Sequence, residues 1–305
     1  MANGIVLGEF AVNPECIATM TDLTLLLRVF GFEHGAVISE FPRSWIPEVK
    51  QRAQQFEEPT RSAFKDKVDR LKAKALVRLG RLSDGTTWLD RTLASHRSRP
   101  FYGILHTHQT VDCQCFQHAI NDDHFPCGLR EGKALRNSVA MVSAILPLVQ
   151  SSDRFTLIDP YFSPNAEYQE FVECLVMKRR EISTGKLYID IHLEHDEEGE
   201  GPLGPAHINN FKHWAKSLPD NLEINVRWWD DNKSGELHPR YLITERGGAR
   251  LDRGFRSPDE RRANREREND ADICMMTEAF IKEIENRYSE KYQPLKCVHR
   301  ETYST

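Results

Sequence analysis

The sequence predicts an α/β protein in two parts: a mostly helical N-terminal domain over residues 1–150, and a domain over residues 151–305 built on a mixed sheet flanked by helices. Three observations predict it. After residue 150, short apolar or alternating runs take turns with helical stretches, the order that lays βα units on a largely parallel or mixed sheet. Two of those runs, residues 187–193 and 222–228, alternate with the period of two that a strand imposes on its side chains. Before residue 150, the longest patterned stretches carry their apolar residues near helical spacing instead.

The first helix is expected over residues 44–55, where Ser44 can cap and Trp45, Ile46 and Val49 ask for burial. Pro59 and Thr60 open a second, with Phe64, Val68, Leu71, Ala75 and Leu76 near one face. Short β-like runs interrupt the helices at residues 4–8, 36–41 and 101–106. Residues 134–149 are apolar on most faces and read as a deeply packed helix. In the second part, residues 155–159 form an apolar run ending in Asp-Pro, and 166–182 a helix. Residues 187–193 are a strand with Leu187, Ile189, Ile191 and Leu193 on one face. A helix at 211–218, strands at 222–228, 238–244 and 271–275, and a helix at 277–288 complete the order.

Composition narrows the class. The 305 residues hold 41 Lys and Arg against 46 Asp and Glu, a net charge of −5, and 39% are hydrophobic, enough to fill a core. A disordered chain, a collagen and a disulfide mini-protein are excluded. No apolar stretch reaches the roughly 18 residues of a membrane span; the nearest, residues 139–149, is short and contains Pro147. The N-terminus has no basic region followed by an apolar one, so a cytoplasmic address is the expectation. The seven scattered cysteines fit reduced thiols. There is no Walker loop, GxSxG or dinucleotide fingerprint, which argues against an ATPase, a serine hydrolase and a dehydrogenase.

The most informative segment is residues 237–248, Leu-His-Pro-Arg-Tyr-Leu-Ile-Thr-Glu-Arg-Gly-Gly. His238 and Arg240 are two apart, so on a strand they share a face. A guanidinium offers a planar fork to phosphate oxygens, and an imidazole beside it can attack phosphorus or shuttle a proton. Glu245 lies at odd offset from His238, which favours bracing the turn or a neighbour over touching the same phosphate. Gly247 and Gly248 are expected to supply a bend.

This pattern, HxRxxxxE followed by Gly-Gly, resembles the HxKxxxxD signature of the phospholipase D superfamily, and Leu157-Ile158-Asp159-Pro160-Tyr161-Phe162 is similar to the strand end that precedes the motif in a variant branch of it. The resemblance covers roughly residues 153–290. Arg240 stands where the family has Lys, and Glu245 where it has Asp. The resemblance implies a phospholipase D-like mixed sheet and a metal-free, cofactor-free phosphodiesterase that proceeds through a phosphohistidine. His238 would be the nucleophile, Arg240 the stabiliser of phosphoryl charge, Glu245 the acidic motif residue and Asp159 the carboxylate holding the imidazole. The family uses two histidines and this chain has one motif, so a homodimer with the site on its two-fold axis is implied. Arg246, Tyr241 and Asn269 are the candidate substrate-binding residues. Nucleic acid is the expected substrate, and phage defence in bacteria the expected setting. Some members keep the fold and bind phosphoinositide membranes without hydrolysis, so a non-catalytic phosphate-binding module is the alternative. The N-terminal domain would recognise substrate or a protein partner.

Four further groupings have a bland and a chemical reading. His106, His108, Cys113, Cys115, His118, His124 and Cys127 crowd into 22 residues. Cys113, Cys115, His118 and Cys127 are zinc candidates, but the spacing matches no standard knuckle and a Cys/His-rich turn is favoured. Residues 246–268 hold eight arginines and five carboxylates, either an arm that grips a polyanion or a solvated loop. Trp228, Trp229 and Tyr241 suit base stacking or, more often, a core. The acidic residues 194–200 read as an exposed loop rather than a cation site.

Overall fold

The computed structural model describes residues 4–107, 116–117, 130–195, 205–231, 234, 236–237, 239–256, 269–292 and 294–305. The chain divides into two compact units, Leu7–Arg130 on the one hand and Met1–Val6 with Glu131–Thr305 on the other.

The first unit is built in chain order from β1 (Gly8–Val12), α1 (Met20–Val29), β2 (Ala36–Ser39), α2 (Trp45–Gln51), α3 (Thr60–Ala75), β3 (Leu76–Val77), α4 (Trp88–Ser98), β4 (Gly103–Leu105) and β5 (Phe116–Gln117). It is α/β rather than mostly helical. Its five strands form one sheet in the order β3-β2-β1-β4-β5, and every pairing is parallel. The strands are two to five residues long, and β1, β2, β3 and β4 are buried throughout. A sheet covered on both faces needs no alternation, so it gives the sequence no period-two signal. The helices were legible because they are amphipathic: Phe64, Val68, Leu71 and Ala75 of α3 pack with Phe10, Leu26, Phe30 and Trp45 in one core cluster. Both α1 and α4 begin with capping boxes, Thr19 with Asp22 and Thr87 with Asp90, each side chain bonding the other residue's backbone N–H. Beside the second apolar cluster, which holds Ala11, Phe41, Phe101 and Ile104, Glu9 and Arg81 form a bidentate ion pair at 2.7 and 2.5 Å. The Arg81 guanidinium also lies 3.4 Å from the Phe101 ring centroid, so its desolvation is offset by charge, hydrogen bonds and the aromatic face.

The second unit comprises β6 (Glu131–Leu135), α5 (Ser138–Ala144), α6 (Leu146–Gln150), β7 (Arg154–Ile158), α7 (Ala166–Arg180), β8 (Leu187–Glu194), α8 (Pro205–Ser217), β9 (Leu222–Asp230), β10 (Tyr241–Thr244), β11 (Gly247–Leu251), β12 (Asp270–Met275), α9 (Glu278–Arg287) and β13 (Lys296–Ser304). Its eight-stranded sheet runs β13-β9-β8-β7-β10-β11-β12-β6. The neighbours β7, β8 and β9 are parallel, and all other pairings are antiparallel. The division between the units falls at residues 130 and 131 rather than near residue 150. The physical reason is that residues 131–135 are a strand, not the start of a helix: they pair with β12 from Leu135↔Asp270 to Glu131↔Cys274. The helix expected over 134–149 is accordingly two short ones, α5 and α6, with Asn137 capping the first through the N–H of Ala140 at 2.8 Å.

Gly247 and Gly248 do not bend the chain after the motif. They open β11, which pairs back on β10 across the two-residue connection Glu245-Arg246. A Cβ at Gly248 would press on Met276 and Ile281 at 3.2–3.3 Å, so the glycine lets α9 approach the sheet. No helix among the described residues is long and apolar enough to cross a membrane.

Candidate functional site

The central pairing of the second sheet builds the site. β10 runs antiparallel to β7 with Tyr241 opposite Ile158, so Arg240, the residue before β10, comes level with Asp159, the residue after β7. Asp159 is 1% exposed while the Arg240 side chain is 25% exposed, with its Nε 3.8 Å from Asp159 Oδ1. The carboxylate is inside and the guanidinium it orients reaches solvent. Asp159 also accepts the N–H of Tyr161 at 3.0 Å and of Phe255 at 3.4 Å. Burial pushes the Asp159 carboxyl above the usual carboxylate range, against the pull of the Tyr161 N–H, Arg240, the Phe255 N–H and Arg136. Arg240 Nη1 donates to the Asp252 carbonyl at 3.2 Å, and its guanidinium carbon lies 5.2 Å from the Tyr161 ring centroid.

The loop after β11 closes this corner. Gly254 has a φ of +70°, and a Cβ there would collide with Asp159 Oδ2 and press on Arg240 Cδ at 3.3 Å. Only glycine lets the backbone pass over the ion pair. The next residue, Phe255, is fully buried with its ring 4.8 Å from that of Phe171, which anchors the loop in the core.

Three more arginines gather around this corner. Arg136, just after β6, donates from Nη2 to the carbonyl of Arg253 at 3.2 Å. Its pKa is lowered first by burial and then by Arg253, Arg256 and Arg240, so it lies in the field of all three. Its Nε is buried with no hydrogen-bond partner among the described residues. Arg256 pairs with Glu167 at the start of α7, and Arg253 lies 3.7 Å from Asp252. The Tyr168 hydroxyl is raised by burial and by Asp159, while Arg256, Arg240 and Arg136 draw it down, which places it in the same electrostatic neighbourhood. Four guanidinium groups thus face the carboxylates of Asp159, Glu167 and Asp252. Such a set suits an oxyanion with several oxygens, a phosphate above all.

Of the candidates read from the sequence, Asp159 and Arg240 are brought together. Asn269 is linked to the same neighbourhood by its backbone, its carbonyl accepting the N–H of Arg136 at 2.6 Å. Glu245 and Arg246 are not brought there: they form the turn at the other end of β10, about 15 Å along the strand from Arg240. Glu245 accepts the N–H of Asp153 at 2.7 Å and of Arg154 at 3.1 Å, bracing the start of β7. Burial lowers the pKa of Arg246, with Glu245 acting against it. Tyr241 is 3% exposed with its ring 5.8 Å from Phe280, a core residue rather than a stacking platform. Trp228 and Trp229 are likewise buried. His238 lies outside the described residues. So do residues 196–200 of the acidic run, residues 257–268 of the arginine-rich run, and every member of the zinc grouping except His106.

Arg136 and Tyr168 carried no signal in the sequence, because nothing local ties a residue between β6 and α5, or one in the first turn of α7, to the His-Arg motif. Arg253 and Arg256 were legible as part of the arginine-rich run. The chain matches no protein-family model and no curated protein sequence.

Proposed function

We propose that the Asp159–Arg240 corner is the phosphate-holding part of a phosphodiesterase site of phospholipase D type, acting on nucleic acid. The observation that carries this reading is the Tyr241↔Ile158 register, which brings Arg240 of the motif level with Asp159, about eighty residues earlier in the chain. The parallel run β7-β8-β9 with the motif strand antiparallel beside β7 supports it, as does the cluster of Arg136, Arg240, Arg253 and Arg256.

In this reading a His238 nitrogen attacks phosphorus while the bond to one ester oxygen breaks. The partner's His238 protonates that leaving oxygen, then takes a proton from the water that hydrolyses the phosphohistidine. Arg240 and Arg136 stabilise charge on the non-bridging oxygens. Asp159 is a positioning residue: it is buried behind Arg240 and aims the guanidinium outward. No cofactor is required. The absence of a membrane-spanning helix among the described residues and the abundance of guanidinium groups weigh toward nucleic acid over lipid.

The test is hydrolysis of DNA, RNA and a chromogenic aryl phosphodiester in EDTA by the intact protein, by His238→Asn and by Arg240→Ala. Cleavage by the natural chain, lost in His238→Asn and reduced by roughly a hundredfold or more in Arg240→Ala, is expected. Cleavage that survives His238→Asn contradicts the reading. No cleavage, with phosphodiester binding that depends on Arg240, assigns the corner to a binding module instead.

A further inference from the structure

The first unit carries a cleft of its own, of about 480 Å³. Its place is set by topology. From β1 the chain steps to β2 and β3 on one side, then returns to β4 on the other, so the strand order reverses between β1 and β4. Open parallel sheets bind ligands outside the carboxyl ends of the strands at such a reversal. Asn13 and Glu15 follow the carboxyl end of β1 and His106 follows that of β4, and all three line the cleft, with Glu48 and Arg52 at the α2 end and Trp88 from the start of α4.

We propose that this cleft binds a hydroxyl-rich sugar ring, either as a free sugar or as the ribose of a nucleoside. The side chains of Glu15, Glu48 and Arg52 make no ion pair or side-chain hydrogen bond among the described residues, although they share one cleft. Carboxylates only accept hydrogen bonds, whereas a guanidinium only donates them. The matching ligand must therefore offer donors and acceptors side by side, which hydroxyl groups do. The Trp88 and His106 rings stack at 5.8 Å and 27°, an apolar surface suited to the C–H face of a sugar.

Phosphate fits poorly. Two carboxylates oppose one guanidinium, and the helix N-termini of α1 and α4 are already closed by the capping carboxylates of Asp22 and Asp90. A metal is disfavoured because no three His, Cys, Asp or Glu side chains converge among the described residues. The volume lies within the range of small-molecule sites.

Calorimetric titration of the intact protein with D-ribose, D-glucose, adenosine and AMP tests this. Saturable binding of a sugar as strong as that of adenosine assigns a free sugar. Binding of adenosine alone assigns a nucleoside. Either should weaken roughly tenfold in Glu48→Gln, which removes a charged acceptor, and in Trp88→Ala, which removes the aromatic face. Circular dichroism confirms that each variant is folded, and Glu15→Gln, at an exposed position, replaces either one that is not. No saturable binding at millimolar ligand, AMP tighter than adenosine, or variants with undiminished affinity overturns the proposal. Phosphodiester hydrolysis by the second unit can fail without affecting this result.

Discussion

At the scale of single residues, the second unit depends on one glycine of the arginine-rich run. Gly254 holds a left-handed backbone directly over the Asp159–Arg240 pair. Gly254→Ala combines an unfavourable φ with a collision against a buried carboxylate, and the expected cost is about 2 kcal/mol. We expect a melting temperature lower by several degrees and loss of phosphodiester binding, both readable by calorimetry. A variant as stable as the natural protein and equal in affinity contradicts the geometry described. Among the motif residues, Glu245 braces β7, but the reason is distance rather than strand parity: it lies in the turn at the far end of β10 from Arg240. Arg136 and Tyr168 were out of reach of such reasoning, because only tertiary contact relates them to Arg240.

At the scale of elements, β8 and β9 matched their expected positions closely because both are long and alternate strongly in burial. The strand β6 was missed because four of its five residues are at least partly exposed and none carries the pattern of a half-buried strand. In the first unit, β2 and β4 lie within the short runs expected at residues 36–41 and 101–106, whereas β1 starts at the end of the run expected at 4–8 and β3 was not placed, both being short and wholly buried. One contact between β8 and β9 has a consequence for pH. His192 of β8 is fully enclosed, accepts the Trp229 indole N–H at Nδ1 over 3.1 Å, and stacks on that ring at 5.6 Å. Burial, with Arg227 nearby, lowers its pKa from 6.5 to about 3. The folded state thus holds His192 neutral where the unfolded chain would take up a proton. Its contribution is intact above the unfolded pKa and is lost as pH falls from 6.5 toward about 3. Between neutrality and about pH 5 we expect urea unfolding to show a loss of about 2 kcal/mol that is absent in His192→Phe. An identical pH slope in the two proteins contradicts the assignment.

At the scale of the whole molecule, a net charge of −5 conceals a local cluster of four arginines, so overall composition says little about the partner. The mixed sheet flanked by helices was legible from the alternation of elements, but its strand order was not. The position of the boundary and the parallel sheet of the first unit were not, since both depend on which strands pair. If the cluster meets a nucleic-acid backbone, four phosphate contacts give a slope of about −3 in log affinity against log salt. Arg136→Ala should bring that slope nearer zero by about one. A slope near zero, or one unchanged in the variant, places nucleic-acid contacts elsewhere.

The most direct measurement of the central claim is mass spectrometry of the intact protein trapped with an oligonucleotide or aryl phosphodiester at alkaline pH, where phosphohistidine survives. A phosphoryl adduct on His238 is expected to form in EDTA, to be lost in His238→Asn and to be strongly diminished in Arg240→Ala. Turnover of the diester by the natural protein with no adduct at His238, or an adduct on another residue, contradicts it.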